Sequence, residues 1–85
     1  MDTFKTQSLS LSAALQVVST STLDCIEISP DDNRATFVFD RSKDPSFDEI
    51  VARFWAKQLP VDAQTYFESL RYIKSRLYEV KNDQR

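Results

Sequence analysis

The sequence predicts an α+β fold, a small single domain in the order β-α-β-β-α-α, with an antiparallel, hairpin-containing sheet packed against helices. Three observations carry this. Residues 23 to 41 hold two alternating apolar runs separated by Pro30-Asp31-Asp32-Asn33, the pattern of a hairpin. Two segments with helical apolar spacing follow, divided by Leu59-Pro60. And 85 residues, 41% of them hydrophobic, suffice for one core and no more.

Taken in order, Thr3-Phe4-Lys5-Thr6-Gln7 alternates weakly and is rich in strand-forming types, so a first strand is expected there. The serines of Ser8-Leu9-Ser10-Leu11-Ser12 supply N-cap hydroxyls for a helix near 10 to 19, with Leu11, Ala14, Leu15 and Val18 on one face. Ser19-Thr20-Ser21-Thr22 then breaks the periodicity, because short hydroxylated side chains compete for backbone hydrogen bonds, and reads as a connector. Across Leu23 to Ser29, alternation puts Ile26 and Ile28 on one face and Leu23, Cys25 and Glu27 on the other. Arg34 to Arg41 returns as the partner strand with Ala35, Phe37 and Phe39 facing the core.

Ser46-Phe47-Asp48-Glu49 has the spacing of a capping box, so a second helix should start at Phe47, carry Phe47, Ile50, Val51, Phe54 and Trp55 as apolar positions at helical spacing, and stop at Leu59-Pro60. Asp62 is the expected N-cap of a third helix, with Val61 and Tyr66 placed for a hydrophobic staple. Its apolar stripe is Tyr66, Leu70, Ile73, Leu77 and Val80, and the tail 81 to 85 is expected to fray. The chain has no glycine, so a turn that needs positive φ must use another residue, and Asn33 is the expected one.

The residue types that are missing narrow the chemistry. Without glycine there is neither a phosphate-binding loop nor a dinucleotide fingerprint. Without histidine there is no imidazole to activate a nucleophile and no Cys/His zinc site. Cys25 cannot form an internal disulfide and reads as a small packing residue within its strand. Asp40-Arg41-Ser42-Lys43-Asp44 lacks the glycine and closing glutamate of a calcium loop and reads as turn and cap chemistry; a metal-dependent enzyme would need Asp31, Asp40, Asp44 and Glu49 to converge. A non-catalytic domain without cofactor, metal or evident small-molecule substrate is therefore expected. The N-terminus lacks a basic head followed by an apolar run and no membrane span is visible, so the expected location is the cytoplasm.

Charge is unevenly spread. Residues 1 to 50 carry nine acidic and four basic side chains, and residues 51 to 85 four acidic and seven basic, so a net −2 chain is locally basic at its end. On the last helix Phe67, Arg71, Lys74, Tyr78 and Lys81 fall along one flank beside the apolar stripe. That mixture suits a protein interface, and it also suits nucleic acid, where cations neutralise phosphates and rings stack on bases. The plainer alternative is that Phe67 and Tyr78 widen the buried face while Arg71 and Lys74 lay their stems along its border. The expected function is a binding or regulatory module acting through a protein partner or self-association as a homodimer, with Trp55, Phe67, Arg71, Lys74, Tyr78 and Lys81 as the partner-binding residues. A nucleic-acid accessory domain using the same flank is the alternative.

Phe4-Lys5-Thr6, the Leu11 to Leu15 helix, Phe37-Val38-Phe39-Asp40, Phe54-Trp55, Val61 to Phe67, and above all Leu70-Arg71 through Lys74-Ser75-Arg76-Leu77-Tyr78 resemble a family of small uncharacterised prokaryotic and phage-associated domains. The resemblance spans nearly the whole chain and departs from the family pattern at Ser19 to Thr22, where a glycine would follow the first helix. It implies a single compact domain in a bacterial or phage context and supplies no activity.

Overall fold

Phe37 and Phe39 organise the molecule: both are buried, on the middle strand of a three-stranded sheet, and the helices pack over them. The computed structural model describes residues 2–83. The elements are β1 (Thr3–Thr6), α1 (Leu9–Val18), β2 (Leu23–Ile28), β3 (Ala35–Asp40), a 3-10 turn (Arg41–Lys43), α2 (Phe47–Trp55) and α3 (Ala63–Asp83). The sheet order is β1-β3-β2 with both pairings antiparallel. Since β1 and β2 flank β3, the connection through α1 passes over the central strand, and α1 is held between the sheet, α2 and α3.

The pairings Phe4↔Phe39, Thr6↔Phe37 and Ile26↔Phe37 bring the core-facing side chains of three strands onto one face. Leu11, Leu15, Phe47, Ile50 and Ile73 close the core from the helix side. Phe47 sits edge-on to Phe4 at 5.1 Å between ring centroids and 6.0 Å from Phe39, so α2 anchors β1 to the centre. On the outer face, Lys5 and Glu27 pair at 3.1 Å diagonally across the central strand; with both groups half in solvent the pair adds little electrostatically.

Two expectations about the strands are corrected. Leu23 faces the core and not the Cys25 side, because a bulge between Leu23 and Cys25 sets two steps of β2 against one of β3 and resets the alternation. Cys25 is consequently left exposed on the outer face and is no packing residue. Partial burial first, then the neighbouring Asp24 and Glu27 carboxylates, push its thiol above the ordinary value, the opposite of what a nucleophile needs. Asn33 does take positive φ, at 60°, in the hairpin turn.

The helix boundaries also differ from expectation. α1 is capped by Ser8, whose Oγ accepts from the Leu11 N–H at 3.1 Å. The capping box at α2 does not form: Ser46 makes no side-chain cap bond, its N–H donates to Asp44, and Glu49 pairs with Arg53 at 3.2 Å. α2 ends at Trp55, earlier than Leu59, in a Schellman turn where the Gln58 N–H reaches Arg53 O and the Lys57 N–H reaches Phe54 O. Lys57 occupies the left-handed position at φ 61°, where glycine is usual. α3 continues through Asp83, so Lys81 to Asp83 are helical where fraying was expected; Gln84 and Arg85 lie outside the described residues.

Candidate functional site

α3 begins where Asp62 accepts from the Thr65 N–H at 2.9 Å and from its hydroxyl at 2.8 Å; the backbone bond first, then the hydroxyl, holds the carboxyl below the usual range. From there two parallel rows run along the helix with the same four-three spacing, one residue out of step. The inner row, Tyr66, Leu70, Ile73, Leu77 and Val80, is buried or half-buried, and Ile73, Leu77 and Val80 lie in or against the core. Ser69, beside it, donates to Ala13 O at 2.8 Å and draws α3 close to α1 through small side chains.

The outer row is Phe67, Arg71, Lys74, Tyr78 and Lys81. Phe67 is 66% exposed and Tyr78 65%, so neither ring widens the buried face, and that plainer reading is set aside. Arg71 and Lys74 are exposed between them and make no ion pair among the described residues. Phe67, Arg71 and Lys74 line one open concavity of about 660 Å³ together with Gln64, Glu68 and Leu70.

The other expected residues are dispersed. Tyr78 stands further along the same row, whereas half-buried Lys81 lines a separate crevice with Gln7, Asn33 and Arg34. Trp55 is 61% exposed at the end of α2, packs edge-on to Phe54 at 5.1 Å, and lines neither concavity. On the opposite flank, Arg76 reaches Leu23 O at 3.4 Å and lies 5.9 Å over the Tyr72 ring, which ties that side of α3 to β2.

A buried polar junction, not foreseen, joins the α1–β2 connector to the end of β3. Asp44, only 7% exposed, accepts from the Ser19 hydroxyl at 2.6 Å, the Thr20 N–H at 3.1 Å and the Ser46 N–H at 2.9 Å. The Ser19 hydroxyl, followed by those N–H groups, holds its carboxyl below the ordinary carboxylate range. Ser21 donates to Asp40 O at 2.6 Å, and the Asp40 carboxylate accepts from both the hydroxyl and the N–H of Ser42, which likewise lower it. These carboxylates are committed to hydroxyls and N–H groups that fix a turn, as the sequence around Asp40 and Asp44 suggested. The one signal for the junction was a run of serine and threonine opposite an Asp-rich turn, with nothing to say that the two would meet.

Fold and site together define a small α+β domain whose helices cover one face of a three-stranded antiparallel sheet and whose last helix leaves a basic and aromatic row uncovered. The chain belongs to the domain family of unknown function DUF5659, whose model matches residues 1–79 and so takes in almost all of that row. No curated protein and no solved structure matches the sequence. Among the described residues no helix is long and apolar enough to cross a membrane, and no group of three or more Cys, Asp or Glu side chains is placed to hold a metal ion.

Proposed function

We propose that this chain is a non-catalytic protein-interaction module, working in the cytoplasm in a bacterial or phage context, that docks its partner on the outer row of α3. The observation that carries the reading is the exposure of Phe67 and Tyr78 on either side of two cations that no carboxylate of the described chain pairs. Exposed rings gain nothing for the folded monomer, whereas covering them supplies the anchor energy on which interfaces depend. The absence of histidine and glycine supports a role other than catalysis. Nucleic acid is the second reading; the same cations favour it, while Glu68 in the same concavity and the overall charge of −2 oppose a phosphate backbone.

Photo-crosslinking tests the choice. The full chain carrying Tyr78→benzoylphenylalanine is expressed in its native host beside a control carrying Thr36→benzoylphenylalanine on the outer sheet face. The reading predicts a discrete, nuclease-resistant protein adduct from position 78 that Arg71→Glu with Lys74→Glu removes, and none from position 36. A nuclease-sensitive adduct transfers the site to nucleic acid; no adduct, or equal adducts from both positions, defeats the docking surface.

A further inference from the structure

We draw no further inference here: the strongest candidate, the uncovered row of α3 from Phe67 to Tyr78 with the concavity beside it, already carries the docking reading above, and nothing in the structure shows what covers it.

Discussion

The junction of Ser19, Ser21, Asp40 and Asp44 and the outer row of α3 invert the usual placement of side chains. In the first, polar groups are buried and each finds a partner; in the second, large rings stand in water beside cations with no carboxylate against them. Buried hydrogen bonds to a carboxylate hold the fold, because losing one partner strands the other where water cannot replace it. Rings that are about two-thirds exposed, as Phe67 and Tyr78 are, bury little area within the monomer. A residue's oddity in burial is thus ambiguous alone, and its partners decide whether it serves the fold or something outside it.

The largest expected effect comes from breaking the junction at its acceptor. Asp44→Ala deprives Ser19, Thr20 and Ser46 of one carboxylate at once and should lower the urea midpoint more than any other change proposed here. Acid should act on the same group. Asp40, Asp44 and Asp62 all have folded pKa values depressed below the unfolded one, so the unfolded chain binds more protons in the interval between the two. Their contribution is complete above the unfolded value of about 4 and is lost as pH falls through the folded values. Urea midpoints measured from neutral pH down to about pH 3 should fall for the parent, and less steeply for Asp44→Ala.

Ser21→Ala is the next test, since it removes only the 2.6 Å donor to Asp40 O; a loss of about 1–2 kcal/mol is expected in urea unfolding. A smaller change of opposite sign is expected at Lys57, which pays the left-handed cost at the end of α2. Lys57→Gly should stabilise the domain by about 0.5–1 kcal/mol in thermal unfolding. Asn33→Gly should do less, because asparagine tolerates that conformation better.

Much of the architecture could be read from side-chain periodicity. The hairpin, the inner row of α3 and the Asp62 cap are local patterns in which neighbours in sequence are neighbours in space, and each formed as expected. What escaped depends on contacts between distant segments. The bulge that turns Leu23 inward is set by pairing with Phe39, and a strict alternation cannot reveal it. The capping box at Ser46 was displaced because Asp44, drawn in by Ser19 and Thr20, takes the Ser46 N–H first. The Asp44 junction spans about 25 positions of chain and left no local signature.

The candidate row was legible as a flank, because helical spacing alone places Phe67, Arg71, Lys74, Tyr78 and Lys81 together. Whether its rings were buried was not, since a row one residue, or about 100°, round from the buried one lies beside the edge of a helix's apolar face, where neighbouring elements decide.

The urea midpoint of Phe67→Ser with Tyr78→Ser tests the central claim most directly. If the outer row serves a partner and not the fold, the double variant should unfold within about 0.5 kcal/mol of the parent, the range of ordinary surface changes. A loss of about 2 kcal/mol or more, the scale of a core truncation, would mean that the two rings belong to the packing of the domain and not to a docking surface.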